Sequence, residues 1–137
     1  MTTVFTTETT IDRPVGAVWT RLIDWDHAAR WMPGVDALRA DGPTAVGTTL
    51  VFTARGKERT GWIAALDPGR SVTVRSVQGG VTADYRYACA PHGDGTRVSL
   101  VADCRTTGPM RLLAPVIRSA IRRTDRGQLA AFAATFG

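Results

Sequence analysis

Tyr85 and Tyr87 stand two residues apart, and on a strand that spacing puts both side chains on one face. A tyrosine hydroxyl in an apolar site needs a partner and can orient or protonate a ligand carbonyl, so these two are the candidate catalytic residues. Cys89 shares their face and reads as an inert buried thiol. His27, after Asp24-Trp25-Asp26, is an outside candidate for acid/base work, whereas His92 falls in a four-residue hairpin turn. Cys89-x-x-His92 has the spacing of a metal pair, yet no second pair lies near enough to complete three or four ligands; no metal is expected. Thr124, Asp125 and Gln128 fall at or near the inner side of a late helix. A buried Asp125 would be a base with a raised pKa, but Arg122 and Arg126 beside it favour a partly exposed ion pair. The G-x-S-x-G, G-x-G-x-x-G and P-loop lysine patterns are absent, which leaves no expectation of acyl-serine chemistry or of a cofactor.

The elements that position these residues follow from periodicity and turn chemistry. Val4 to Ile11, rich in threonine, reads as a strand. Val15, Val18, Trp19, Leu22 and Ile23 recur at helical spacing after Asp12, the expected N-cap, and Pro14. A second short helical piece through Ala28, Ala29 and Trp31 stops at Pro33-Gly34. From Val35 to Arg105, five Gly/Pro/Asp-rich breaks bound six strands, several of which alternate polar and apolar residues, as in an antiparallel sheet with one wet face. Pro109 opens a last helix running to about Phe136, with Met110, Leu113, Ile117, Ile121 and Phe132 on its apolar side and Arg118, Arg122, Arg123 and Arg126 projecting away or flanking it.

A chain of 137 residues with 44% hydrophobic and 21% charged residues suits one domain over residues 1–137. The longest stretch free of Asp, Glu, Lys and Arg is the 13 residues from Gly42 to Ala54, short of the ~18 that a spanning helix requires. Met1 to Glu8 offers no basic segment followed by an apolar one, so the cytoplasm is the expected location. Net charge is +5, and every basic residue except Lys57 is arginine. The arginines are scattered rather than gathered on one face, so nucleic acid is not an expected partner. Cys89 and Cys104 flank the His92 hairpin about six residues out of register, or ~20 Å along a strand, too far for a disulfide.

The order strand, helix, short helix, six strands, long helix resembles the helix-grip fold of the START/Bet v 1-like (SRPBCC) superfamily. Ile11-Asp12-Arg13-Pro14, Trp31-Met32-Pro33-Gly34-Val35, Val46-Gly47-Thr48, Leu66-Asp67-Pro68-Gly69-Arg70 and Gly95-Thr96-Arg97-Val98-Ser99-Leu100 sharpen this to its polyketide cyclase/dehydrase-like branch. The resemblance implies an α+β fold: a curved seven-stranded antiparallel sheet wrapped around the C-terminal helix, two short helices after the first strand, and a ligand cavity between sheet and helix. By strand parity the cavity side should carry Leu50, Phe52, Trp62, Tyr85, Tyr87 and Leu100, with Trp31 and Met32 near the mouth and Met110, Leu113, Ile117 and Ile121 from the helix. Related aromatic-polyketide cyclases place an arginine in the pocket, but parity puts Arg59 opposite Trp62.

Three readings remain open at this stage. The first is a binder of a small hydrophobic or aromatic, polyketide-like or lipid-like molecule. The second is a cofactor-independent cyclase or dehydratase that moves protons and folds its substrate in the same cavity. The third makes Arg118, Arg122, Arg123 and Arg126 a docking surface for an acidic carrier protein.

Overall fold

Turn chemistry sets the sheet. In a computed structural model, which describes residues 2–136, the chain runs β1 (Thr2–Ile11), α1 (Val15–Leu22), a 3-10 segment (Trp25–Arg30), then β2 (Val35–Ala40), β3 (Thr49–Ala54), β4 (Lys57–Asp67), β5 (Ser71–Gln78), β6 (Val81–His92) and β7 (Gly95–Thr106). All six strands bounded by the five turn clusters are present. They form one seven-stranded antiparallel sheet in the order β1-β7-β6-β5-β4-β3-β2, so each hairpin pairs neighbours in sequence and only β1 crosses over to cover β7. In the β6–β7 register Cys89 faces Val98 while Cys104 faces Ala83. Both cysteines are free and buried.

The start of α1 differs from expectation. Pro14, in extended conformation, occupies the cap position, and no side chain caps the helix. Asp12 therefore does not serve as N-cap, because the chain is still leaving β1 there. Val18 and Leu22 carry the helix into the core.

The C-terminal helical region is present but jointed: a 3-10 turn (Gly108–Leu113), α2 (Ala114–Asp125) and α3 (Gln128–Ala134). The joint falls at Arg126-Gly127, where glycine weakens helix continuity. The two α pieces then behave differently. α3 buries Gln128, Leu129 and Phe132, and Phe132 makes edge contacts with Trp31 (5.0 Å between ring centres) and Phe136 (5.4 Å). None of the 12 residues of α2 is fully buried. The sheet thus grips α3 tightly and leaves α2 standing off.

Candidate functional site

The gap beneath the α2–α3 region is a cavity of about 490 Å³, within the range that holds a small organic ligand. Its floor comes from cross-strand rows on the concave face. Leu38 faces Phe52 and Phe52 faces Arg59; Val74 faces Tyr85. Trp25 and Met32-Pro33-Gly34-Val35 close one side, and Thr124, Asp125 and Gln128 form the roof. A second cavity of about 330 Å³ adjoins it, sharing Ser76, Gln78 and Tyr85 and completed by Val81, Ala83, Ile117, Ala120 and Ile121.

A chain of four polar side chains crosses the first cavity. Tyr87 Oη donates to Gln128 Oε1 at 2.6 Å, Gln128 Nε2 donates to Asp125 Oδ1 at 3.1 Å, and Tyr85 Oη donates to Asp125 Oδ2 at 2.7 Å. The strand supplies the tyrosines and the helix joint supplies their acceptors, so the network ties sheet to helix. Burial raises the Asp125 pKa, while the hydrogen bonds from Tyr85 and Gln128 pull it back. Burial, then the nearby Asp125 charge, drives both tyrosines far above their ordinary value; they stay protonated and act as donors. Asp125 is thus a cavity residue satisfied by Tyr85 and Gln128, and the expected ion pair with Arg122 or Arg126 does not form among the described residues. Its helical spacing points inward as expected; the arginines beside it in sequence mislead, because Arg122 turns to the Val4 carbonyl oxygen instead.

The sequence-derived wall is divided by the structure. Met32, Leu50, Phe52, Tyr85 and Tyr87 line the first cavity. Ile117 and Ile121 line the second. Trp31 is fully enclosed, its ring edge-on to Tyr87 at 5.7 Å and to Phe132; it supports Tyr87 from behind rather than forming a mouth. Leu100, opposite Tyr87 on β7, lies in the core. Met110 packs over Gly80, and Leu113 is half exposed on the outer 3-10 turn.

Trp62 is on the convex face with 36% of its surface exposed. Its neighbours Gly61 and Ile63 take the inward positions, and a Cβ on Gly61 would come within 2.6 Å of the Arg75 carbonyl oxygen, so close approach of the curved strands demands a glycine on the inner side. Outside, Trp62 pairs with Arg75, whose guanidinium grips both Asp84 carboxylate oxygens at 2.7 Å. The parity opposition between Arg59 and Trp62 holds, and with Trp62 outside it brings Arg59 inside. His27 is exposed, bonded to Asp24 at 2.8 Å, and lies apart from the cavity wall. The rule that large apolar residues point inward misled at Trp62; Ile63, adjacent and wholly buried, is the signal that fixes the phase. Trp25, also missed, looked like part of a polar break between two aspartates, yet its ring is buried and its Nε1 donates to Thr44 Oγ1.

Burial pushes the Cys89 thiol up to about 11 and raises Cys104 as well, Arg118 partly opposing the latter. Both are protonated thiols at neutral pH. The basic residues of α2 do not form one outward stripe. Arg122 turns its guanidinium onto the Val4 carbonyl oxygen at 3.2 and 3.3 Å, where a bulge in β1 leaves that group free of the ladder. Arg118 is half-buried, which leaves Arg123, and Arg126 just beyond the helix, as the exposed cations of this stretch without a backbone partner among the described residues.

The family model for "Polyketide cyclase / dehydrase and lipid transport" matches residues 2–137. The chain belongs to that family. No curated protein matches it in sequence. Among solved structures, TTHA0849 from Thermus thermophilus is 19% identical with a TM-score of 0.72, over 93% of this chain and 92% of that one. Norcoclaurine synthase from Thalictrum flavum, in complex with dopamine and hydroxybenzaldehyde, is 17% identical with a TM-score of 0.69, over 96% and 84%. The di-domain ARO/CYC StfQ from the steffimycin biosynthetic pathway is 17% identical with a TM-score of 0.68; the match covers 95% of this chain and 49% of StfQ. At these identities the family member shares their fold. Among the described residues no helix is long and apolar enough to cross a membrane.

Proposed function

We propose that this family member binds a small hydrophobic or aromatic molecule in the cavity between sheet and C-terminal helices. The observation that carries the reading is the roughly 490 Å³ cavity that combines an apolar floor of Leu38, Leu50, Phe52 and Val74 with a few polar side chains, among them Tyr85, Asp125 and Gln128, the composition of a ligand site rather than of a packing defect. The family match supports it. A fluorescence titration with N-phenyl-1-naphthylamine tests it: binding saturates at one probe per folded chain and is lost when urea unfolds the protein. Non-saturating signal, or signal that survives unfolding, overturns the reading.

A second reading, cofactor-independent cyclisation or dehydration, is favoured by one feature, the Tyr85–Asp125 hydrogen bond inside the cavity. Asp125 takes a proton from a carbon beside a substrate carbonyl, the electron pair released forms the new carbon–carbon bond to a second carbonyl, and that oxygen receives a proton in turn. Tyr85 steadies the Asp125 carboxylate throughout, and the enclosing walls hold the substrate folded and dry. Norcoclaurine synthase and StfQ share the architecture, which makes such chemistry compatible with the fold without assigning it.

A further inference from the structure

The cavity wall contributed by the β3–β4 hairpin is cationic and unpartnered. Arg55, Lys57 and Arg59, all at the β3–β4 hairpin, line the wall, and neither of the two ion pairs among the described residues uses them. Lys57 and Arg59 face Ala54 and Phe52 across the hairpin, so their stems continue the apolar floor while their charges reach its rim. Glu58, the one acid among them in sequence, alternates to the other face. Among the described residues Asp125 is the only acid on the cavity wall, and it is engaged with Tyr85 and Gln128.

Arg55 supplies an independent observation. It is the one non-glycine residue with positive φ among those described, at 54°, followed by Gly56 at 79°. Such a two-residue hairpin turn takes Asn, Asp or Gly at its first central position at little cost, and arginine there is strained. The turn keeps a cation where the backbone disfavours it, at a position that lines the cavity.

Building on the ligand-binding reading above, we propose that the cavity takes an amphipathic anion, with its apolar body over Phe52 and Val74 and its carboxylate or phosphate at Arg55, Lys57 and Arg59. Guanidinium forks and an ammonium suit such oxygens, and repulsion from Asp125 fixes which end enters first. A bound molecule is thereby oriented with its uncharged end at Tyr85 and Asp125.

Two probes with one body decide the matter. N-phenyl-1-naphthylamine and its sulfonate, 1-anilinonaphthalene-8-sulfonate, differ only in the anionic group. The sulfonate binds the parent protein about 10-fold more tightly, the combined effect of three partly exposed ion pairs, and added salt narrows the gap. In Arg55→Asn/Lys57→Gln/Arg59→Gln the preference disappears while the neutral probe still binds; Arg55→Asn also relaxes the turn, so the fold is retained. Equal affinities in the parent, or a preference that survives the triple substitution, overturn the anion inference alone. Failure of the neutral probe to bind the parent overturns the cavity reading beneath it. Displacement of the neutral probe by decanoate, decyl phosphate and decan-1-ol identifies the group. Either anion acting well below the alcohol's concentration supports the cationic wall, the stronger of the two naming carboxylate or phosphate, and an alcohol as effective as both contradicts it.

Discussion

Tyr85 and Asp125 lie 40 positions apart in the chain and are joined by a 2.7 Å hydrogen bond inside the cavity. The bond couples the middle of β6 to the last turn of α2, and it is the closest approach of donor and carboxylate on the cavity wall. Its consequences extend to reactivity, to pH dependence and to the way helix and sheet are held apart.

If Asp125 removes protons from bound carbonyl compounds, the protein accelerates hydrogen–deuterium exchange beside the carbonyl of 2-tetralone, a bicyclic ketone of cavity size. Asp125→Asn lowers the accelerated rate by roughly 100-fold, the low end of general-base contributions, Tyr85→Phe lowers it by less, and His27→Ala leaves it unchanged. Proton NMR in D₂O follows the exchange. No acceleration by the parent protein, or acceleration indifferent to Asp125→Asn, removes the catalytic reading and leaves binding alone.

Asp125 also imposes a pH dependence on stability. Burial holds its native pKa above the ordinary 3.8, so between those two values the native state keeps a proton that the unfolded chain has released. Stability from this group is therefore greatest at low pH and falls as pH rises through the raised pKa. Urea midpoints of Asp125→Asn should gain on those of the parent as pH rises above the ordinary carboxylate value, and parallel curves for the two proteins would count against a buried carboxylate.

Much of the fold was legible because it is written in local chemistry. The five turn clusters each bound a hairpin, and the threonine-rich first strand and the helix after Pro14 follow from propensity and spacing. The site was legible in part. Tyr85, Tyr87, Phe52 and Leu50 follow from strand alternation once its phase is known, whereas Trp62 shows how the phase is lost: strand curvature reserves the inner position for Gly61, and bulk alone points the wrong way. Asp125 was obscured by its neighbours: helical spacing sets it near the inner side, but Arg122 and Arg126 beside it point to an ion pair, and the long-range contacts of Tyr85 with Asp125 and of Arg122 with Val4 decide otherwise. The pairing of Arg122 with the Val4 carbonyl depends on a bulge in β1, a long-range event with no local signature.

The convex position of Trp62 predicts that Trp62→Thr changes the affinity for N-phenyl-1-naphthylamine by less than about two-fold, since the side chain touches no wall of the cavity. Phe52→Ala, which removes a ring from the floor, weakens binding roughly 10-fold, in line with the apolar area lost. Fluorescence titrations of the two variants in parallel give the answer, and reversed sensitivities would mean the sheet curves the other way.

Phe132 anchors α3 against Trp31. Its replacement by alanine should cost about 3–5 kcal/mol, the usual range for a fully buried phenylalanine, whereas Val116→Ala on the outward side of α2 should cost little. Denaturant unfolding measures both. Comparable losses would show that α2 is packed as firmly as α3, contrary to a helix that stands off to leave room for a ligand.

The central claim is that a ligand enters between sheet and helices, and amide shift mapping tests it most directly. Titration of ¹⁵N-labelled protein with N-phenyl-1-naphthylamine should move the resonances of Leu38, Phe52, Val74, Tyr85 and Asp125 together, saturating at one equivalent, while the exposed Leu112 on the 3-10 turn and Val116 on the outer side of α2 stay fixed. Shifts centred on Leu112 and Val116, or shifts that never saturate, would contradict an internal binding site.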